Sequence, residues 1–98
     1  MDITAEELKS RIAKGETLHI LDVREEWEFE EKNIGAMLIP LGTLPSRLSE
    51  LEDWKVEEVI VHCRSGARSA NAKAFLTQKG FGNVRNLIGG IERYLSIA

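Results

Sequence analysis

The stretch Val59-Ile60-Val61-His62-Cys63-Arg64-Ser65-Gly66-Ala67-Arg68-Ser69 passes from one kind of backbone to another at its cysteine. Val59 to His62 is a β-branched, apolar run suited to a buried strand. Ser69-Ala70-Asn71-Ala72-Lys73-Ala74-Phe75-Leu76 consists mostly of good helix formers and puts Ala72, Phe75 and Leu76 on one face. Cys63 therefore stands where a strand runs into a helix. It faces a turn of backbone N–H groups and the positive end of the helix, with Arg64 and Arg68 nearby. All of these stabilise an anion, so they lower the thiol pKa and favour a reactive thiolate near neutral pH. A lone cysteine in a small domain also reads as an inert, buried hydrophobe. Its context argues otherwise: nothing from Arg64 to Ser69 helps to pack a core, and Gly66 permits a backbone geometry that other residues resist. The expectation is a thiol exposed enough to alkylate.

On either side of this junction strands and helices alternate. Thr4 with Glu7 reads as a capping box, starting a helix that buries Ala5, Leu8 and Ile12 and ends at Gly15. Leu18 to Val23 reads as a strand, and Glu25 to Lys32 as a short acidic helix anchored by Trp27 and Phe29. Met37-Leu38-Ile39 is a short strand stopped by Pro40. Pro45 suits the first turn of a helix through Leu51, with Leu44, Leu48 and Leu51 inward. The helix after the cysteine ends at Gly80, and Val84 to Leu87 is the last full strand. Beyond Gly89-Gly90, Ile91 to Leu95 makes a final helical turn or two. This alternation implies a parallel sheet covered on both faces, with ligands bound beyond the carboxyl ends of its strands. The cysteine loop, Arg24 and Gly89-Gly90 all fall at that edge.

The 98 residues suit one domain, 1–98, with a single core. A net charge of −3 argues against general affinity for nucleic acid or anionic membrane, so the cationic loop stands out locally. A single cysteine excludes an internal disulfide and any multi-cysteine metal site. The start, Met-Asp-Ile-Thr-Ala-Glu-Glu-Leu, lacks the regions of a signal peptide, and no apolar run reaches membrane-spanning length. A reduced, cytoplasmic setting is expected.

The loop from Cys63 to Ser69, with Leu21-Asp22-Val23-Arg24 upstream, resembles the rhodanese family of sulfurtransferases. Ile34-Gly35-Ala36 leading to Ile39-Pro40-Leu41, and Gly89-Gly90 near the end, add to the likeness, which runs from about Thr4 to Leu95. The resemblance implies a three-layer α/β/α domain with a five-stranded parallel sheet, the first strand being a short piece around Asp2-Ile3. It also implies that Cys63 carries a persulfide between a sulfur donor and an acceptor. Where the family often has Gly-His-Ile-Pro-Gly-Ala, this chain reads Lys32-Asn33-Ile34-Gly35-Ala36, and Tyr94 stands for a common tryptophan. Those departures bear on packing and partner surface more than on chemistry.

The expected substrates are a small sulfane donor such as thiosulfate and a thiol, cyanide or sulfur-carrier protein as acceptor. No cofactor or metal enters this scheme. Cys63 is the catalytic candidate, and Arg64, Ser65, Gly66, Ala67, Arg68 and Ser69 are the substrate-binding candidates, their N–H groups surrounding an anionic persulfide. Arg64 points outward, either to attract the donor or as a solvated side chain. Arg68 aims at the base of the loop and fixes its shape. Ser65 and Ser69 donate to sulfur, or Ser69 serves as the helix N-cap. His62 lies on the opposite face from Cys63, which makes it a poor base for the thiol, and His19 is a packed or edge residue. Asp22 and Arg24 form a buried ion pair that holds the loop region. Glu25 to Glu31 is a solvated face or a patch for a basic partner. Two rivals remain. Related phosphatases and arsenate reductases use a loop one residue longer between Cys and Arg, whereas Arg64 to Ala67 suits a single sulfur atom. A docking module in which sulfur transfer is incidental has no need of the thiol.

Overall fold

The computed structural model describes residues 1–97. Helix α1 (Ala5–Ala13) is followed by strand β1 (His19–Asp22), helix α2 (Glu26–Glu31) and strand β2 (Met37–Leu38). Two 3₁₀ helices, Leu41–Thr43 and Pro45–Trp54, lead to strand β3 (Glu58–His62) and helix α3 (Ala67–Gln78). Strand β4 (Asn83–Asn86) and helix α4 (Gly90–Ser96) complete the order. The strands are parallel and lie in the order β2-β1-β3-β4.

Among the described residues the sheet thus has four strands, not the expected five. The Asp2-Ile3 piece contributes one isolated parallel bridge, Ile3 to Leu87. Its anchor is a pair of backbone bonds, Ile3 N–H to the Asn86 carbonyl at 3.0 Å and Ile88 N–H to the Ile3 carbonyl at 2.9 Å. Thr4 then caps α1 through its hydroxyl to the Glu7 N–H, which ends the extended run after one bridge.

Alternation along β3 assigns the two faces of the sheet. Val59, Val61 and Cys63 pack with Leu21, Val23, Leu51, Ala72 and Leu76 under α3 and the 3₁₀ helices. Ile60 points to the other face, with Ile3, Ala5, Leu8 and Leu87 and the half-buried Tyr94 of α4. Three layers result. The segment after Pro45 coils as 3₁₀ rather than α because its apolar residues recur at Leu48, Leu51 and Trp54, a spacing of three that a 3₁₀ helix stacks on one side.

Two expected core residues lie outside. Ile12 is exposed, because the smaller core reaches Leu8 of α1 and no further. Trp27 is 63% exposed and Phe29 only half-buried, while Glu28 between them is buried. The orientation of α2 is set by charge, not by its aromatic residues.

Candidate active site

The backbone at the end of β3 makes the cradle. Gly66 has φ +121°, a region that side-chain-bearing residues rarely adopt, and from there the chain turns directly into α3. Gly66 is the N-cap residue of that helix, so Ser69, expected as a possible N-cap, sits inside the first turn instead. The unpaired N–H groups of that turn point inward. The Gly66 N–H meets the Cys63 Sγ at 3.1 Å and the Ser69 N–H meets it at 3.4 Å. The Ser69 hydroxyl lies 3.3 Å from the same sulfur.

Wrapped in this way, Cys63 is 1% exposed, which corrects the expectation of an openly alkylated thiol. The loop has closed over its own sulfur. Burial pushes the thiol pKa up, yet the Ser69 side chain and the N–H groups of Ser69, Gly66 and Ser65 outweigh it, leaving the pKa below the ordinary thiol value. The sulfur is buried and still disposed to ionise.

Four neighbours hold the loop in place. Arg68 makes a two-pronged ion pair with Glu28, at 2.7 and 2.9 Å, tying α3 to α2. That pair, with the Glu25 N–H on the same carboxylate, holds the Glu28 pKa at about 2 against the opposing effect of burial. Asp22 and Arg24 form the buried pair at 2.8 Å, and Arg24 also donates to the carbonyls of Glu28 and Lys32 at the end of α2. Gly90 opens α4 against the back of the loop. There the Ile91 N–H reaches the Cys63 carbonyl at 2.9 Å and the Glu92 N–H reaches the Arg64 carbonyl at 3.1 Å. Asn86, at the end of β4, receives the Ser69 hydroxyl and donates its side-chain amide to the Gly66 carbonyl.

Arg64 projects outward, 69% exposed at its side chain, with its Nε 3.1 Å from Glu92. Ser65 and Ala67 lie on the exposed rim. A cleft of about 480 Å³ opens beside Arg64, between α2 and α4, lined in part by Trp27, Glu31, Lys32, Ile91 and Leu95. His62 is buried on the opposite face from Cys63, with Nδ1 3.4 Å from the Cys63 carbonyl and Nε2 3.7 Å from Asp22. His19 lies far from the loop in sequence and stacks on Trp54, ring centres 4.6 Å apart. No group of three His, Cys, Asp or Glu side chains among the described residues is arranged to hold a metal ion.

The sequence reading missed two of these neighbours and the role of a third. Glu28 was hidden in an acidic run, although its place four residues after the Asp22-Val23-Arg24 turn was a usable signal. Asn86 left no signal, being one polar residue at a strand end. Gly90 was placed at the right edge without its reason, which is that a Cβ there would lie 2.3 Å from the Arg64 carbonyl oxygen.

The fold agrees with what the chain is similar to. The rhodanese-like domain family model matches residues 4–97, so the chain belongs to that family. A sulfurtransferase of Allochromatium vinosum is 41% identical over 91 residues, which are 92% of this chain and 83% of the relative. A putative sulfur carrier protein of Bacillus subtilis is 37% identical over 92 residues, 93% of this chain but 49% of its own length. The crystal structure of a rhodanese-like domain protein from Staphylococcus aureus superposes with a TM-score of 0.86 at 32% identity, covering 96% of this chain and 91% of that one. The similarity supports an enzyme of the sulfurtransferase class.

Proposed function

We propose that the protein moves a sulfane sulfur from thiosulfate or a similar donor to a thiol or cyanide acceptor through a persulfide on Cys63. The observation that carries this reading is the ring of N–H donors on Sγ, from Gly66 at 3.1 Å and Ser69 at 3.4 Å, in a loop with four residues between Cys63 and Arg68. Such a ring fits one anionic sulfur atom.

In the first half-reaction the Cys63 thiolate attacks the outer sulfur of thiosulfate. The bond between the two donor sulfurs breaks and sulfite leaves with its electron pair. The new outer sulfur carries the negative charge among the loop N–H groups from Arg64 to Ser69. In the second, an acceptor thiolate or cyanide attacks that sulfur, the Sγ–S bond breaks, and the Cys63 thiolate returns. No side-chain base touches the sulfur in this scheme; the Ser69 hydroxyl and the loop N–H groups, which lower the thiol pKa, favour loss of its proton to solvent. Arg64 attracts the anionic donor, and Arg68 holds the loop through Glu28. The name of the Bacillus subtilis relative supports a carrier protein as one acceptor. A reducing, cytoplasmic setting suits an unpaired thiol of this kind.

Intact mass after incubation with thiosulfate tests the proposal. The protein should gain the mass of one sulfur atom, lose it on adding cyanide or a thiol, and gain nothing as Cys63→Ser. Absence of the gain, or turnover of a phenyl phosphate ester in its place, would overturn it.

A further inference from the structure

The Ser69 hydroxyl has one proton and three neighbours that could take it. Asn86 Oδ1 lies at 2.5 Å, the Gly66 carbonyl at 3.2 Å and the Cys63 sulfur at 3.3 Å. The Asn86 amide is oriented by its other end. The Gly66 carbonyl accepts only, so Asn86 Nδ2, at 3.2 Å, must face it, and Oδ1 must face Ser69. The Gly66 carbonyl already accepts from the Ala70 N–H at 3.0 Å and from Asn86, so Oδ1 is both the nearest and the freest acceptor. The backbone of Asn86 is anchored as well. Its N–H is held by Asp2 at 2.9 Å and its carbonyl by the Ile3 N–H at 3.0 Å.

We infer that Asn86 is a positioning residue for Cys63: it holds the Ser69 proton away from the sulfur, so the hydroxyl must turn from Asn86 to Sγ when the thiol ionises. With its proton on Asn86, Ser69 Oγ presents a lone pair to the sulfur. That suits a thiol donating S–H and repels a thiolate. On ionisation the thiol proton goes to solvent, the hydroxyl rotates about its C–O bond, and the Asn86 oxygen loses its partner. No covalent bond changes. The bond to Asn86 is therefore a cost of forming the thiolate, set against the N–H donors of the loop. It opposes ionisation of the sulfur, and it returns the hydroxyl to Asn86 whenever the sulfur is neutral.

The charged groups around the sulfur are already paired and do not replace this contact. Arg68 of α3 is held by Glu28 of α2, Arg64 by Glu92 of α4, and Asp2, behind Asn86, by Lys73 of α3. His62 faces the other side of the sheet with its ring on the Cys63 carbonyl.

The inference rests on Cys63 as the reacting group, but its test reads ionisation and not turnover, so it succeeds or fails separately from sulfur transfer. The thiolate absorbance is titrated against pH in the parent, Asn86→Ala, Ser69→Ala and the double variant. Asn86→Ala should lower the Cys63 pKa by about half to one unit, the worth of one ordinary hydrogen bond. The same substitution in the Ser69→Ala background should leave the pKa where Ser69→Ala alone put it. An unchanged or raised pKa in Asn86→Ala, or an equal drop without the hydroxyl, overturns the inference. Should Asn86→Ala fail to fold, the parent suffices. The side-chain amide resonances of Asn86 should titrate with the Cys63 pKa and cease to do so in Ser69→Ala; resonances that stay still in the parent would overturn it equally.

Discussion

Arg64 and Arg68 belong to one loop and have opposite surroundings. Arg64 is largely solvated, its one ion pair shared with an exposed glutamate, Glu92. Arg68 grips a carboxylate that is nearly buried. An exposed guanidinium attracts a dianion before and during reaction alike, so Arg64→Ala should raise KM for thiosulfate several-fold with a smaller fall in kcat. That attraction is screened, and the parent's KM should climb with ionic strength more steeply than the variant's. Arg68→Ala leaves Glu28 unpaired and buried, and the loop loses its tie to α2, so kcat and thermal stability should fall together. Steady-state kinetics at several salt concentrations, with melts beside them, separate the two arginines. Equal KM effects with kcat untouched would show that they do not divide the work.

At the scale of elements, the loop's shape depends on what α4 does behind it. The Ile91 and Glu92 N–H groups in the first turn of α4 go to the carbonyls of Cys63 and Arg64, which turns the opposite edges of those peptides toward the substrate side. Gly90 makes this approach possible. It has φ +62°, and a Cβ would lie 2.3 Å from the Arg64 carbonyl oxygen and 2.7 Å from that of Cys63. These are backbone atoms that cannot step aside without moving the loop. Gly90→Ala should therefore lower stability by roughly 2 to 4 kcal/mol, from the clash and the left-handed backbone together. Sulfur transfer should fall at least tenfold, since a displacement of that size in a catalytic loop is costly. Denaturant midpoints and the thiosulfate–cyanide assay read both, and a variant matching the parent in each would mean that α4 docks on the loop without shaping it.

In the whole molecule, the chemistry and the ion-pair cluster on Glu58 lie at opposite ends of β3. Glu58 opens β3 and takes Arg11 of α1 at 2.7 and 2.9 Å and Arg85 of β4 at 2.9 Å. The Arg11 pair, then Arg85, hold its pKa at about 2, below the ordinary 4.5, despite partial burial. A carboxylate with a depressed folded pKa stabilises fully above its unfolded value and loses that contribution as pH falls through the folded one. Glu58 and Glu28 should thus both cost stability between about 4.5 and 2. His62 acts earlier. Burial first, opposed by Asp22, keeps its folded pKa below 6.5, so the unfolded chain takes up a proton there that the folded chain refuses. Stability should begin to fall below about pH 6.5 and fall again below 4.5. Glu58→Gln should lose about 2 to 3 kcal/mol at pH 7 and flatten the lower stage. Urea midpoints from neutral to acid pH check this, and a Glu58→Gln profile parallel to the parent's would exclude Glu58 as its source.

Local sequence determined whatever depends on neighbours in the chain. The β-branched run before Cys63 and the helical spacing of Ala72 and Leu76 after it placed the thiol at a strand-to-helix turn. The alternation of such runs implied a parallel sheet with its ligand edge at the loop. Asp22 and Arg24, two residues apart, could be paired on paper. Tertiary structure decided what depends on distant partners. Glu28 meets Arg68 across 40 residues of chain, and for that reason it is the buried member of α2 while Trp27 stays outside. Asn86 reaches Ser69 only because β4 runs parallel to β3 with Val61 opposite Asn86. Cys63 is covered because Gly66 folds the loop back on the sulfur while α4 supports it from behind. Periodicity records which side of an element is apolar. It holds no record of which carboxylate or amide will face a given arginine or serine, because that is set by strand register and by the way separate elements close around one another.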